Sequence, residues 1–216
     1  MYNLCIIPAR ANSKRLKNKN ILPLGSKFLI EWTIDFAKKI SNKNFILLST
    51  DSKRMLAIAK KNNILCPFLR PKYLSADHAK SADVCIHAIK WYEKKFKKKI
   101  KTIILLQPTS PFRLLSIYKK ALKLYHQNFL PTFTVTQKKT KFLDKFSKDK
   151  VRFLYRTTLE ANGNLYMISA KDLKKNKSFF SSVNNIVEIK ENKKECLDID
   201  TIYDYLKAKK ILKKNL

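Results

Sequence analysis

Residues 4–20 read LCIIPARANSKRLKNKN, an unbroken apolar run that ends at a proline and leads into a basic segment. A short continuous apolar run predicts a strand that is buried on both faces of a sheet. Five of the eleven residues from Arg10 to Asn20 carry a positive charge. The stretch therefore predicts a buried first strand followed by a cationic loop.

The same order of buried strand and amphipathic helix recurs along the chain. Apolar runs predict strands at 45–48, 102–106, 132–136 and 164–169, and a 3.6-residue period predicts helices at 28–40, 53–62, 81–96, 116–125 and 201–212. This alternation indicates an α/β fold of three layers, with a mostly parallel sheet between helices. Ligands of such sheets bind beyond the carboxyl ends of the strands, so the loops after the first and third strands are candidate site segments. We expect the basic segment 138–156 to be irregular and to form a flexible flap or arm, and 179–189 to be extended.

The 216-residue chain carries a formal net charge of +31. A nucleic-acid groove would interleave Arg with aromatic residues, whereas here Lys outnumbers Arg and the Lys runs are scattered. We therefore expect no nucleic-acid partner and keep a basic nucleic-acid-binding protein as a distant alternative. The excess charge is still suited to attracting anionic substrates.

Other features bear on location. No run of about 20 apolar residues predicts a membrane span, and the first residues lack the basic leader of a signal peptide. The four cysteines show no metal-ligand spacing. We expect a cytoplasmic protein without a membrane partner.

The cationic loop suits a triphosphate, because Arg holds phosphate oxygens in a fork and Lys adds a point charge. Given the excess of Lys, a solvated loop without a ligand is the alternative. The loop after the third strand, Gln107-Pro108-Thr109-Ser110-Pro111, has two prolines that stiffen the backbone around three hydrogen-bonding side chains. It suits recognition of a base or a sugar, or it is an ordinary turn with Ser110 as a helix cap.

Asp198-Ile199-Asp200 places two carboxylates on one face of an extended segment. Neighbouring carboxylates repel each other, and a divalent cation such as Mg²⁺ relieves that repulsion. The alternative is that Asp200, just before Thr201, caps the last helix. A cationic loop, a rigid polar loop and a carboxylate pair are together the components that phosphate-ester transfer uses.

In this order the segments resemble the cytidylyltransferases that activate sialic acids and related acidic sugars. The resemblance covers nearly the whole chain. It rests on Ile7-Pro8-Ala9-Arg10, Ser13-Lys14, Lys19-Asn20, Trp32-Thr33-Ile34, Ser49-Thr50-Asp51, Phe68-Leu69-Arg70-Pro71, Leu74, Asp77, Asp83-Val84, Leu105 to Arg113, Asn162 to Tyr166 and Asp198 to Thr201.

The resemblance implies a Rossmann-like nucleotidyltransferase fold, a single domain over residues 1–216, with a small dimerisation arm within about 138–190 and hence a homodimer. It implies CTP and an acidic nine-carbon sugar as substrates. It implies Mg²⁺, or Mn²⁺ in its place, as the cofactor on Asp198 and Asp200. The implied binding residues are Arg10, Ala11, Asn12, Ser13, Lys14, Lys19 and Asn20 for CTP, Asp77 and Ser81 nearby, Gln107 and Ser110 between nucleotide and sugar, and Tyr166, Phe179 and Phe180 for the sugar, with the Phe pair in the partner subunit's pocket.

The implied reaction is attack by the anomeric hydroxyl of the sugar on the α-phosphorus of CTP, with release of pyrophosphate. Its implied catalytic residues are Lys14, Asp200 and Arg152, with Arg156 as the alternative to Arg152. Lys14 and the metal would offset the developing charge, and Asp200, or a hydroxide on the metal, would accept the proton.

The chain departs from the family where Ala11-Asn12 replaces the usual Gly-Gly. Glycine permits positive φ, and Asn tolerates that region better than Ala does. We therefore expect Asn12 to substitute for glycine more readily than Ala11. The alternatives within the enzymes are a synthetase of the CMP-Kdo type, which acts on a shorter sugar, and a nucleotidyltransferase acting on a sugar phosphate.

Overall fold

The structure is a computed structural model that describes residues 2–147, 150–190 and 193–213. Its strands are β1 (Tyr2–Pro8), β2 (Pro23–Leu24), β3 (Lys27–Phe28), β4 (Ile46–Ser49), β5 (Ile100–Leu105), β6 (Thr132–Ser147), β7 (Lys150–Ser169) and β8 (Asn185–Ile189). Its helices are α1 (Leu29–Ile40), α2 (Lys53–Lys61), α3 (Lys72–Ser75), α4 (Ser81–Phe96), α5 (Leu115–Asn128), α6 (Ala170–Asn176) and α7 (Ile202–Lys213). Short 3-10 turns occupy Lys19–Ile21, Lys43–Phe45 and Lys194–Cys196.

Six strands form the main sheet in the order β4-β1-β5-β7-β6-β8. β1 runs parallel to β4 and β5, and β8 runs parallel to β6, whereas β7 is antiparallel to both of its neighbours. Three of the five pairings are therefore parallel, which confirms the predicted α/β fold with a mostly parallel sheet.

Helices cover both faces of the sheet because the central strand is apolar on both sides. Cys5 and Ile7 of β1 belong to the core that packs against α1, α2 and α5, while Leu4 and Ile6 belong to the core under α4 and α6. All four side chains are fully buried. The three predicted layers are thus present, and the run at residues 4–7 is the doubly buried strand that its composition indicates.

The outer halves of β6 and β7 pair only with each other. β8 follows β6 only as far as Thr136, and β5 pairs with β7 only from Tyr166 to Ser169. Residues 137–147 and 150–160 therefore form a two-stranded arm beyond the sheet. The irregular conformation predicted for the flap or arm at 138–156 is wrong, because this part of the arm is two paired strands. Phe153, Tyr155 and Thr157 alternate in the manner of a strand, although the surrounding Lys obscures the pattern.

The segment after the arm differs from the prediction, because it contains a helix that the sequence analysis did not predict. Of the predicted extended piece 179–189 only Asn185–Ile189 is a strand, and helix α6 precedes it. The Ser169 hydroxyl accepts the Asp172 backbone N–H at 2.9 Å, a helix cap that the spacing Ser-x-x-Asp signals.

A third core packs residues 197–199 and α7 against β2, α1 and the loop after β5. Leu197, Ile199 and Tyr205 pack there with Leu24 and Phe112. The Ile199 N–H also donates to the Thr109 carbonyl at 2.7 Å. This bond holds the segment with Asp198 and Asp200 against the loop after β5. No helix in the three described ranges is long and apolar enough to cross a membrane.

Candidate functional site

The loops after β1 and β5 and the segment 198–200 meet at one cavity of about 330 Å³. The sequence predicted this convergence, and the structure confirms it. The predicted site residues on its lining are Arg10, Lys19, Asn20, Asp77, Ser81, Gln107, Asp198 and Asp200. A basic cavity of about 360 Å³ alongside it adds Ser13 and Lys14.

One hydrogen bond within the cationic loop and one to the segment after β4 set the path of the loop. The buried Asn20 side chain donates to the Arg10 carbonyl at 3.0 Å, and the Ala11 N–H donates to Asp51 Oδ1 at 2.7 Å. Asp51 follows β4 and was not predicted as a site residue. Its carboxylate holds the loop in place at Ala11, so Ala11 contributes to the shape of the loop through its backbone N–H.

The two residues in place of Gly-Gly need no glycine conformation. Among the described residues, positive φ occurs at Asn18 and at five other positions, and neither Ala11 nor Asn12 is one of them. The expectation that Asn12 serves by adopting the left-handed region is therefore wrong. Ala and Asn are accommodated because the backbone there stays at φ values open to every residue.

Each of two carboxylates holds two cations of the first loop. Asp77 accepts from Arg10 and from Lys14, both at 2.6 Å. Asp200 accepts from Arg15 and from Lys19, again both at 2.6 Å. The hydrogen bonds from Lys14 and then from Arg10 lower the pKa of Asp77.

Asp198 lies deeper than Asp200. Burial raises the pKa of Asp198, the Thr109 hydroxyl opposes that rise with a hydrogen bond, and the charge of Asp200 adds to it. Ser110 Oγ lies 3.5 Å from Asp198 Oδ1. Thr109 was not predicted to contact this carboxylate, because its proximity follows only from the folded path of 197–200.

The carboxylate pair fits a divalent cation that also binds substrate. Ile199 is fully buried, so Asp198 and Asp200 share the face toward the cavity, as predicted. No group of three His, Cys, Asp or Glu side chains in the described parts of the chain forms a protein-only metal cage. Mg²⁺ does not require one, since it combines one or two carboxylates with substrate phosphates.

The side chain of Asp200 does not cap helix α7. The Thr201 hydroxyl accepts the Asp204 N–H at 3.3 Å, and Asp204 Oδ2 accepts the Thr201 N–H at 2.8 Å. This reciprocal pair is a capping box in which an Asp stands at the third position. The cap of α7 is therefore Thr201, and the alternative that Asp200 supplies it is wrong.

An aromatic cavity of about 430 Å³ adjoins the main one, and Ser81 and Gln107 line both. Tyr166, Phe179 and Phe180 line it within a single chain. Burial, with a further contribution from the charge of Asp198, raises the pKa of Tyr166 to about 12. A place for the Phe pair in the partner subunit's pocket stays a prediction. Within their own chain, the ring centroids of Phe179 and Phe180 lie 5.7 and 6.2 Å from that of Tyr166.

Two predicted arginines lie away from these cavities. Arg152 is exposed on the outer part of the arm, where its backbone pairs with that of Asp144, and Arg156 is exposed opposite Thr140. Neither belongs to the described linings of the main, basic or aromatic cavities. The structure therefore does not bring Arg152 to the site of its own chain.

Arg70 is a further cation that the sequence analysis did not assign to the site. It lines the main cavity with only 6% of its surface exposed. Its Nη2 lies 4.0 Å from Asp51 Oδ1, and its Nε donates to Ser75 Oγ at 3.2 Å. Its motif, Phe68-Leu69-Arg70-Pro71, carried the resemblance, but no charge pattern around it indicated a buried position.

Comparison with known proteins agrees with the resemblance. A family model described as "Cytidylyltransferase" matches residues 4–215. A CMP-N,N'-diacetyllegionaminic acid synthase of Legionella pneumophila is 32% identical over 232 residues, covering 100% of this chain and 98% of that protein. A pseudaminic acid cytidylyltransferase of Campylobacter jejuni is 31% identical over 174 residues, covering 81% of this chain and 70% of that protein.

A solved structure shares the fold. The CMP:2-keto-3-deoxy-manno-octonic acid synthetase in complex with CTP aligns over 100% of both chains with a TM-score of 0.73. Its sequence is 14% identical, so this likeness concerns the fold alone.

Proposed function

The chain belongs to the cytidylyltransferase family, and we propose that it transfers CMP from CTP to the anomeric hydroxyl of an acidic nine-carbon sugar, with release of pyrophosphate. The observation that carries the proposal is the single cavity where Arg10, Lys19 and Gln107 meet Asp198 and Asp200. It places cations for a triphosphate beside carboxylates for a divalent ion and opens into the aromatic cavity.

The basic loop binds the triphosphate in this proposal. Arg10, Lys14, Arg15 and Lys19 exchange their carboxylate partners for phosphate oxygens, and Arg70 adds a buried positive charge. Asn20 and Asp51 hold the backbone of the loop in place while this exchange occurs. Cations preorganised in this way stabilise the charge that develops on the leaving pyrophosphate.

Asp198 and Asp200 would hold Mg²⁺, or Mn²⁺ in its place. The bound cation supplies charge neutralisation on the phosphates. Asp200, or a hydroxide on the metal, would accept the proton of the attacking hydroxyl. Asp200 becomes available as a base once Arg15 and Lys19 have left it for the phosphate oxygens. Ser110 and Thr109 keep Asp198 in position.

The aromatic cavity would receive the sugar. Tyr166, Phe179 and Phe180 offer ring faces for the apolar parts of N-acyl groups, and Lys80 and Lys177 at its lining offer positive charge to a carboxylate. The names of the two relatives point to legionaminic or pseudaminic acid as candidate acceptors, and sialic acid belongs to the same class.

We infer that two copies of the chain pair through the arm. A two-stranded hairpin is at best marginally stable in water unless it packs against something. The arm exposes Phe142, Phe153, Tyr155 and Leu159 by 43 to 67%. Three of these, Phe153, Tyr155 and Leu159, alternate along β7 and so share one face. In such a dimer the exposed Arg152 on the arm would lie at the partner subunit.

We also propose that the reaction takes place in the cytoplasm.

A pyrophosphate-release assay tests the proposal. It combines CTP and Mg²⁺ with sialic, legionaminic and pseudaminic acids, an eight-carbon keto-acid sugar and a sugar phosphate. Turnover with an unphosphorylated nine-carbon acid supports the proposal, and preference for the eight-carbon acid or the sugar phosphate contradicts it. Salt-sensitive retention of DNA or RNA without CTP turnover would point to the nucleic-acid-binding alternative.

A further inference from the structure

Arg113 is a cation that the mechanism above does not use. Its half-buried side chain follows Phe112 at the end of the loop after β5. Desolvation lowers its pKa to about 9, yet no described carboxylate lies within ion-pair distance. A charge kept in such surroundings has to be satisfied by hydrogen bonds instead.

The guanidinium of Arg113 joins three segments. Nη2 donates to the Gln107 carbonyl at 2.6 Å and to the Gly163 carbonyl at 3.3 Å. Nε donates to the Asn164 carbonyl at 2.8 Å, and Nη1 donates to Thr33 Oγ1 at 2.9 Å. Only a planar fork reaches these acceptors at once, and a Lys ammonium does not. Arg113 therefore fixes the backbone of Gln107 against residues 163 and 164 of β7.

Gly163 fixes the side chain of Gln107 from the other direction. A Cβ at Gly163 would lie 2.5 Å from Gln107 Oε1 and 2.9 Å from Ser110 Oγ. The Gln107 N–H also donates to the Gly163 carbonyl at 3.2 Å. The amide of Gln107 thus rests directly on the Cα of Gly163, in space that any other residue would occupy.

The position of this amide matters because Gln107 lines both the main cavity and the aromatic cavity. We propose that Arg113 and Gly163 are positioning residues that hold the Gln107 amide at the boundary of the two cavities, and so set the placement of the sugar hydroxyl against the nucleotide. This inference rests on the proposed function for its substrates. Its geometry rests on Gln107, Gly163 and Arg113 alone.

Gly163→Ala should therefore reduce kcat far more than it weakens CTP binding. The new methyl group displaces the Gln107 amide, and a displacement of about 1 Å at a reacting centre lowers the rate by about 100-fold. The basic loop is untouched, so the Kd for CTP should change by less than about threefold. Arg113→Lys should also lower kcat, because the charge is kept but the fork is lost.

A double-mutant cycle separates positioning from general damage. The variants are Gly163→Ala, Gln107→Ala and the two combined, with kcat, the Kd for CTP and Tm measured for each. If Gly163 acts through the Gln107 amide, the double variant should be no slower than Gln107→Ala alone, within about twofold. Losses that multiply, or a loss in Gly163→Ala that follows Tm rather than kcat, would overturn the proposal.

A second readout needs no substrate. The side-chain NH₂ signals of Gln107 in a ¹⁵N spectrum are identified by their absence in Gln107→Ala. They should shift in Gly163→Ala and in Arg113→Met. The signals of Asn and Gln side chains away from the loop after β5 and from residues 162–164 should stay in place. Unchanged Gln107 signals in Gly163→Ala would refute the inference even if the protein proved inactive on CTP, whereas inactivity alone would count only against the proposed function.

Discussion

Lys19 Nζ donates to Asp200 Oδ1 at 2.6 Å, although 181 positions separate the two residues in the sequence. Lys19 is only 9% exposed, and Arg15 binds the other oxygen of the same carboxylate. The carboxylate proposed to hold the metal therefore rests on two of the cations proposed to hold the triphosphate. Binding of the metal and binding of the nucleotide should each free a partner for the other.

Lys19→Met tests the phosphate role of the buried lysine. A hydrogen bond to a charged group contributes about 1.5–3 kcal/mol, so the Kd for CTP should rise by about 10- to 100-fold. Lys17→Met is the matched control, because Lys17 lies two positions away in the same loop and is exposed. Isothermal titration without metal measures both variants. An equal loss of affinity in the Lys17 variant would show that only general charge matters.

Asp77→Asn should strengthen nucleotide binding. Asp77 occupies Arg10 and Lys14 in the free protein, so a triphosphate has to displace it. The ion pairs of Asp77 are exposed and screened by solvent, so we expect the Kd for CTP to fall only modestly, by about two- to fivefold. Glu188→Gln makes the same change in net charge at an exposed position on β8 and should leave the Kd unchanged. A weaker Kd in Asp77→Asn would instead support direct binding of the nucleotide by Asp77.

The wild type and the Asp77→Asn variant should also differ in how their stability depends on pH. Hydrogen bonds from Lys14 and Arg10 lower the pKa of Asp77, so its contribution is present above the unfolded value of about 3.9 and is lost as pH falls through the folded value. The Tm of the wild type should exceed that of Asp77→Asn at pH 6, and the difference should shrink below about pH 4. A difference that stays constant down to pH 2.5 would contradict this.

The sequence predicted those parts of the site that depend on local order. The apolar run 4–7, the basic loop and the alternation of Asp198, Ile199 and Asp200 each follow from neighbours in the chain, and all are present as predicted. The parallel packing of β1 against β5 then brings their carboxyl ends together, which is a property of the fold class.

The residues that the sequence analysis did not assign to the site reach it through contacts between distant parts of the chain. Asp51 reaches Ala11 over 40 positions, and Arg113 reaches Gly163 over 50, so no local pattern marks either one. The roles assigned through the resemblance also carried Arg152 to the site, but the arm holds it at a distance. Arg152 pairs with Asp144 far out on the arm, and the Lys-rich sequence concealed the length of the two strands.

Phe153→Ser combined with Tyr155→Ser tests the arm as a dimer contact. These side chains are 58% and 67% exposed and belong to the same face of β7, so a dimer would bury both. We expect the dimer Kd from analytical ultracentrifugation to rise at least about tenfold, since aromatic anchors dominate interface energies. Tyr203→Ser removes an equally large ring that is 80% exposed on α7 and should leave the assembly unchanged. A wild-type chain that is monomeric at high concentration would exclude the dimer.

Asp200→Asn separates catalysis from nucleotide binding, because the proposed role of this carboxylate is to hold the metal, while its negative charge would oppose the triphosphate. Its amide oxygen still accepts from Lys19, and the cap of α7 belongs to Thr201, so the fold should persist. We expect kcat with Mg²⁺ to fall by at least about 1,000-fold, since both a metal ligand and the candidate base are lost. The Kd for metal-free CTP should stay equal or fall, because a competing negative charge has been removed. Asp204→Asn is the control for a change that affects stability and not catalysis. It weakens the capping box of α7 by about 1 kcal/mol, which should lower Tm by about 2–4 °C. Its kcat should remain nearly unchanged. Near-normal turnover in Asp200→Asn would remove this residue from the mechanism, and a parallel loss of CTP affinity and Tm would show that it acts as a structural ion pair.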